Sequence, residues 1–168
     1  MTELSLTEYA VLGVLAGGPS HGFALAKELT SRAELGRIYT VRRPLVYRAL
    51  DRLVEARLAE AMHIEESEAG PNRTVVRLTR RGRAKLRRWL EQPVDHVRDI
   101  RIEFLLKLAL LQRTGGSPGS LIDRQRTALK PTLTVLEELS TDDHVEIWRR
   151  HNARATDAYL EELRLLFG

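Results

Sequence analysis

The chain has 168 residues, which suffices for one domain or for a small domain with a dedicated second element. Hydrophobic residues make up 43% of it, aromatic residues 5% and charged residues 30%, as is typical of a helical, water-soluble protein. It contains no cysteine, which excludes disulfides and thiolate metal sites. The N-terminus lacks a signal-like apolar stretch and no segment reaches membrane-spanning length, so we expect a cytoplasmic protein without a membrane partner.

The positive charge is concentrated in the first half of the chain. Residues 1–92 carry 16 Lys and Arg against 11 Asp and Glu, whereas residues 93–168 carry 11 against 12. Only four of the 27 basic residues are lysines, and the planar fork of arginine suits phosphate and guanine better than a lysine point charge does. This asymmetry predicts a nucleic-acid-binding first half with a near-neutral second half.

Two short helices are predicted at the start of the chain. Ser5 and Glu8 have the spacing of a capping box, and the helix that follows ends at the Gly-Gly-Pro sequence of residues 17–19. Ser20 is predicted to cap the second helix. The packing face of that helix consists of Phe23, Leu25, Ala26 and Leu29.

A third helix is predicted from about Pro44 to Arg57, after a connector at residues 35–40. Proline is tolerated at the first helical position, where its missing N–H would have no partner. One face of this helix is apolar, and the other is charged and carries a tyrosine. The apolar face comprises Val46, Ala49, Leu50 and Leu53, and the polar face comprises Arg43, Tyr47, Arg48, Asp51, Arg52 and Glu55.

A β-hairpin is predicted next, with strands Glu60 to Ile64 and Arg73 to Leu78 around a loop at residues 65–72. Thr79 is predicted to cap a helix that runs from Arg80 to Glu91. Three short helices followed by a hairpin are the order of a winged helix-turn-helix. A basic helix that bears an aromatic residue, followed by a hairpin with a basic return strand, indicates double-stranded DNA as the partner.

The remainder predicts three helices at about 98–113, 118–139 and 142–167, with Pro93 at the domain boundary. Pro131 falls inside the second of them, which should therefore kink or consist of two shorter helices. Segment 102–111 is apolar almost all round, and leucine-rich stripes mark both later helices, more apolar surface than these helices can bury alone. We therefore expect homodimerisation through the C-terminal helices.

The fold class expected is thus mainly α with a small β-hairpin. It comprises a winged helix-turn-helix DNA-binding domain at residues 1–92 and a helical dimerisation domain at residues 93–168. Whether the second domain also senses an effector is open at this stage.

Short segments spread over most of the chain together carry a resemblance to one family. They are LTEYAVLGVL at residues 6–15, GPSHGFAL at 18–25, VYRALDRL at 46–53, GPNR at 70–73, VRLTRRG at 76–82, RWL at 88–90 and RIEFLLK at 101–107. With them the chain resembles the PadR family of bacterial transcriptional regulators. The resemblance implies a DNA-binding, usually ligand-responsive repressor that works as a dimer joined by its C-terminal helices.

Two positions depart from the family pattern. Arg42, Arg43 and Pro44 open the recognition helix where the family often has serine and glycine, so an operator sequence is not carried over. Arg57 stands where a glycine is common, which alters the turn into the wing.

The candidate DNA contacts lie on the second and third helices and on the wing. The N-terminal residues of the recognition helix are expected in the major groove, the wing arginines on phosphates, and the N–H groups at residues 20–22 on a phosphate. The alternatives are a solvated arginine face, a tyrosine packed inside the domain and a histidine with a structural role. The candidates are Ser20, His21, Arg42, Arg43, Tyr47, Arg48, Arg52, Asn72, Arg73 and Arg77.

Aromatic residues are the candidates for a pocket that binds a small aromatic or drug-like effector. They are Trp89, Phe104 and Trp148. The alternative is that the tryptophans are ordinary core or dimer-interface residues. His144 and His151 resemble a metal site only loosely, and a solvent-exposed face accounts for them better, so no metal or cofactor is expected.

The sequence therefore predicts a homodimeric repressor, not an enzyme, that binds a pseudo-palindromic operator and is released by a small molecule. It offers no thiol nucleophile, no Gly-x-Ser-x-Gly motif and no Walker-type loop. The alternative is a winged-helix protein–protein interaction module that does not bind DNA. Nothing in the sequence separates a repressor from an activator.

Overall fold

Short helices and three short strands make up the first of the two units into which the chain divides, Met1–Trp89, and helices make up the second, Leu90–Gly168. The structure is a computed structural model, and it describes residues 3–66, 72–138 and 142–167. The predicted class, mainly α with a small β element, is confirmed. Two predicted features lie partly outside the described residues. They are the wing loop, at residues 67–71, and the end of the leucine stripe with the start of the cap for the last helix, at residues 139–141.

The first unit contains a winged helix-turn-helix and one helix that the sequence did not predict. This five-residue helix lies in the predicted connector. It packs against the backbone after α2 so closely that a Cβ on Gly36 would lie 1.5 Å from the carbonyl oxygen of Thr30. The elements of this unit are α1 (Leu6–Ala16), β1 (Ser20–His21), α2 (Gly22–Glu28), α3 (Glu34–Ile38), α4 (Arg43–Glu55), β2 (Ala59–Glu65), β3 (Arg73–Leu78) and α5 (Arg80–Glu91).

Two of the predicted helix starts are confirmed. Both halves of the capping box are present, because Glu8 N–H donates to the Ser5 hydroxyl while the Glu8 carboxylate accepts from Ser5 N–H. Thr79 Oγ1 accepts from Gly82 N–H at 3.0 Å at the start of α5.

The prediction that Ser20 caps the second helix is wrong. Ser20 lies in β1, opposite Val76 of β3, and the cap is His21, whose Nδ1 accepts from Ala24 N–H at 3.3 Å. The predicted hairpin is therefore part of a three-stranded antiparallel sheet in the order β1-β3-β2, with β3 in the middle.

The second unit begins with three consecutive helical segments of different type. The predicted helix at 98–113 is a 3-10 turn at Val97–Asp99, a π-helix at Ile100–Phe104 and α6 at Leu105–Arg113. Helix α7 (Gly119–Glu138) is one helix with Pro131 inside it, so of the two predicted alternatives, a kink or two shorter helices, the second is wrong. Helix α8 (His144–Phe167) packs along α7.

Leucines of α7 and α8 build the core of the second unit, together with Phe104 and Leu108. Gln125 of α7 is fully buried, and its side-chain amide accepts from Val94 N–H at 2.7 Å and donates to the Val94 carbonyl at 2.9 Å. These two hydrogen bonds connect the start of the unit to α7. Within the described residues, no helix combines the length and the apolar character that crossing a bilayer requires.

Candidate nucleic-acid interface

Helix α4 has the amphipathic character predicted for a recognition helix. Arg42 is its N-cap without a side-chain hydrogen bond, and Pro44 occupies the first turn. Its buried face packs on the domain core, which leaves the opposite face exposed. The buried residues are Val46, Ala49, Leu50 and Leu53, as predicted.

A groove of about 860 Å³ lies between the start of α2, the exposed face of α4 and the sheet. It brings together five of the ten candidate DNA contacts, namely His21, Arg43, Tyr47, Asn72 and Arg73. Ser20, Arg42, Arg48, Arg52 and Arg77 are not among its lining residues. The remaining lining is Gly22, Phe23, Leu50, Asp51, Val54, Glu55, Ala61, Thr74 and Val76.

Phe23 is the residue around which the cations of this groove are arranged. The guanidinium carbon of Arg43 lies 4.9 Å from the centre of the Phe23 ring, and that of Arg73 lies 5.7 Å from it. Both distances fall within the range of a cation–π interaction. The Phe23 side chain is 46% exposed, so this aromatic ring lies on the surface and not in the core. The apolar pattern of the second helix predicted Phe23 on a packing face, so its place in this groove was not predicted.

Tyr47 packs against the domain and is still partly exposed, whereas its contact with DNA stays a prediction. Its ring packs against Gly22, where a Cβ would lie 2.6 Å from Tyr47 Cε1, yet the residue is still 37% exposed. Its hydroxyl accepts a long hydrogen bond of 3.4 Å from Arg43, whose guanidinium carbon lies 5.6 Å from the Tyr47 ring centre. Tyr47 thus contacts the arginine at the start of α4.

Two of the candidate arginines are held by carboxylates of the domain itself. Arg52 lies 3.7 Å from the buried carboxylate of Glu8, and Arg77 donates to Glu60 across the hairpin at 2.7 Å. A phosphate that binds either arginine would compete with a carboxylate already in place. Both arginines are exposed, so these ion pairs are weak and screened by salt.

The aromatic effector candidates lie in three different settings. Trp89 is buried and stacks on Tyr9, with ring centroids 4.3 Å apart, which agrees with the alternative of an ordinary core residue. Phe104 is fully buried in the core of the second unit, whereas Trp148 is 64% exposed. None of the three lines the groove.

The loose metal hypothesis for His144 gains no support. Its side chain is 97% exposed beside Asp143, and the described part of the chain contains no cluster of His, Asp and Glu that could hold a metal ion.

Comparison with known proteins places the first unit in one family. Residues 11–88 match the sequence model of the Transcriptional regulator PadR-like family. The comparison with curated proteins gives no match.

Similar solved structures span nearly the whole chain. Bacillus subtilis PadR in complex with operator DNA is 18% identical, with a TM-score of 0.52 over 96% of this chain and 99% of that one. The same protein in complex with p-coumaric acid is 18% identical, with a TM-score of 0.44 over 97% and 99%. The protein smu.1604c from Streptococcus mutans UA159 is 16% identical, with a TM-score of 0.47 over 95% of each chain.

At such identities the likeness to the operator complex concerns the fold, and it agrees with the winged helix described above. The resemblance predicted from the sequence motifs is confirmed by the match over residues 11–88. Over residues 11–88 this chain therefore matches the PadR-like family, a family of transcriptional regulators and not of enzymes.

Proposed function

We propose that this regulator is a homodimeric repressor that binds a pseudo-palindromic operator and is released by a small-molecule effector. The observation that carries the proposal is the groove between α4 and the wing, where Arg43 and Arg73 lie near the same aromatic ring. A guanidinium at the start of a recognition helix suits a bidentate contact with guanine in the major groove. One on the wing strand suits a phosphate. Bacillus subtilis PadR has been crystallised with operator DNA, which makes duplex DNA the ligand to test first.

Dimerisation is supported by the surface of the second unit. Among the described residues of this unit, six large apolar side chains are exposed; four lie on α8, one on α7 and one in the π-helix that precedes α6. Exposed apolar surface of this kind marks protein–protein interfaces. A two-fold dimer would place two α4 helices in successive major grooves, about 34 Å apart. The exposed apolar residues are Ile102, Val135, Val145, Trp148, Leu165 and Leu166.

Release by an effector would operate through the dimer. Trp148 is the one of the three candidates that is exposed in the single chain, so a flat ligand that stacks on its indole would bind at the proposed dimer interface. An effector that binds one arrangement of the dimer more tightly by a few kcal/mol would shift the population away from the DNA-binding arrangement.

The decisive experiment is binding of the full-length protein to the DNA upstream of its own gene, in competition with bulk non-specific DNA. We expect tight, competition-resistant binding that weakens steeply with salt, with a log–log slope of about −0.9 per phosphate contact. The double change Arg43→Ala and Arg48→Ala should weaken it strongly. A matched double change on α5, Arg87→Ala and Arg88→Ala, removes the same charge from exposed arginines that do not line the groove.

Specific binding that the Arg43 and Arg48 changes leave intact would contradict the assignment of α4 as the recognition helix. No appreciable DNA affinity even at low salt would instead favour the winged-helix interaction module.

A further inference from the structure

We propose that Phe23 is a positioning residue for DNA recognition, because one surface ring holds the guanidinium groups of Arg43 from the recognition helix and Arg73 from the wing. The proposal rests on the proposed function, since the readout it explains is sequence-specific DNA binding. It goes beyond that function in naming a residue outside the expected DNA contacts. It also predicts that the two DNA-contacting elements act together.

The first support is the exposure of the ring. Phe23 lies in the first turn of α2 and is 46% exposed, so burial in the core does not account for a phenylalanine at this position. Both arginines lie within 6 Å of the ring centre, and the His21 ring centroid lies 6.4 Å away. A leucine at position 23 would be apolar and somewhat smaller, and it would lack the negative face that attracts a cation.

The second support is what an aromatic ring does to an arginine. A guanidinium group that lies over a ring still has the N–H donors on its own edge available for phosphate or for guanine. The ring meanwhile restricts the rotamers of a long, flexible side chain, so less conformational entropy remains to be lost when DNA binds. Arg43 is restrained further by Tyr47, which lies on the same helix one turn later.

The third support is the origin of the two cations. Arg43 lies at the start of α4 and Arg73 at the start of β3, so the ring links two elements that are distant in sequence. Two guanidinium groups near one ring repel each other, and an anion that binds between or beside them relieves this repulsion. The ring therefore favours binding in which helix and wing engage the DNA together.

The test compares full-length Phe23→Leu and Phe23→Tyr with the wild-type protein on specific and on non-specific DNA. Tyrosine keeps the ring, whereas leucine removes it. A surface cation–π contact contributes about two- to five-fold to an equilibrium constant, so losing the restraint on both arginines should weaken specific binding by up to about 4- to 25-fold. Phe23→Tyr should bind within about two-fold of wild type. Both variants should keep the wild-type melting temperature within a few degrees, since the ring is on the surface.

A double-mutant cycle separates positioning from a direct contact between Phe23 and DNA. In the background Arg43→Ala and Arg73→Ala, Phe23→Leu should have almost no further effect, because no cation remains to be positioned. An equal loss in that background would overturn the proposal. So would a Phe23→Leu variant that binds like wild type.

A second readout needs no DNA. The side-chain Nε–Hε resonances of Arg43 and Arg73 should be displaced by the ring current in the wild-type protein and in Phe23→Tyr, and should return toward ordinary arginine values in Phe23→Leu. Resonances that do not move would overturn the proposal. Wild-type protein that binds no sequence specifically would overturn the proposed function, whereas specific wild-type binding with an unaffected Phe23→Leu variant would overturn only the inference about Phe23.

Discussion

Gly22 lies directly against the ring of Tyr47, and a Cβ at position 22 would be 2.6 Å from Tyr47 Cε1 and 3.0 Å from Cζ. The glycine allows the start of α2 to approach α4 closely on the side of Tyr47, whose hydroxyl accepts from Arg43 one turn earlier on the same helix. The backbone of α2 thus determines where the tyrosine of α4 can lie.

Gly22→Ala should therefore displace the Tyr47 ring and disturb the groove. We expect a loss of about 1–3 kcal/mol in the free energy of unfolding, measured by urea denaturation, because the added methyl group overpacks the contact. Gly17→Ala is the control, since its Cβ would meet the carbonyl oxygen of Val14 only at 3.4 Å, an ordinary contact. In a Tyr47→Ala background the cost of Gly22→Ala should largely disappear. If Gly22→Ala still lowers the free energy of unfolding in that background, the added methyl group clashes with something other than Tyr47.

Arg57 is a non-glycine residue in a left-handed conformation, with φ of 56° at the end of α4. Its N–H donates to the Val54 carbonyl and the next N–H, of Leu58, donates to the Leu53 carbonyl, the two bonds of a Schellman motif. Because an L-residue pays for this conformation, Arg57→Gly should raise the free energy of unfolding by about 0.5–1 kcal/mol after the greater unfolded-state entropy of glycine is deducted. Arg57→Ala keeps the strain and should give no such gain. Equal stabilisation by both changes would point to the arginine charge instead.

Elements whose signals are local could be predicted from the sequence. The capping box at Ser5, the cap at Thr79 and both long strands of the wing depend on residues a few positions apart. Strand β1 was missed because its two residues are extended only through pairing with Val75 and Val76, more than fifty positions away.

Helix α3 was missed for a related reason. It has only five residues, and its N-cap, Ala33, provides no side-chain hydrogen bond. Tight packing around Gly36 at the end of α2 accompanies this helix, and a contact of that kind leaves no periodic signal in so short a segment.

In the candidate site, too, some features could be predicted from local patterns and others depend on tertiary contacts. The amphipathic pattern of α4 predicted which of its residues are exposed, and His21, Arg43 and Arg73 were named from residue type and position. Arg43 and Arg73 both contact Phe23, and the three residues lie on separate elements. No local sequence pattern predicts such a tertiary contact. The ion pair between Arg77 and Glu60 can be predicted only when the strand register is known.

That ion pair gives a third prediction. Glu60→Gln should release Arg77 from its carboxylate at 2.7 Å and allow it to bind a phosphate. DNA affinity should then rise several-fold, and the log–log salt slope should steepen by about 0.9, the value for one added phosphate contact. Both changes are measured in a salt titration of DNA binding. In an Arg77→Gln background the slope should stay constant when Glu60 is changed. The same steepening in both backgrounds would assign the effect to the overall charge of the wing.

The fourth prediction concerns the proposed dimer. Trp148→Ala removes the largest exposed apolar side chain of α8, which is 64% exposed in the single chain. If α8 lies in the interface, the dimer should dissociate at least about ten-fold more readily, since tryptophans are frequent binding hot spots. Sedimentation equilibrium over a range of concentrations measures this. Arg154→Ala, a change of an exposed polar residue on the same helix, is the control. An unchanged monomer–dimer equilibrium in Trp148→Ala would remove Trp148 from the proposed interface.

The last prediction concerns the buried Lys107 of α6. Its side chain is 1% exposed, and its Nζ donates to the Gln92 carbonyl at 2.9 Å and lies 2.8 Å from the Glu103 carboxylate. Burial lowers the pKa of Lys107 below its ordinary value of 10.5, although Glu103 and Asp95 oppose the shift. The fold therefore disfavours the charged form relative to the unfolded chain.

The sign of the pH dependence follows from proton counts. Between the lowered pKa of the folded state and 10.5, the unfolded chain binds more protons at Lys107 than the folded chain does, so this residue makes the free energy of unfolding rise with pH. We expect the stability of wild type relative to Lys107→Met to increase from pH 8 to pH 10.5 in urea denaturation. Burial raises the pKa of Tyr159 above 10 in both proteins, so its opposite contribution cancels in the difference. A difference that stays flat or falls over this range would mean that the folded chain holds the charged lysine at least as readily as water does.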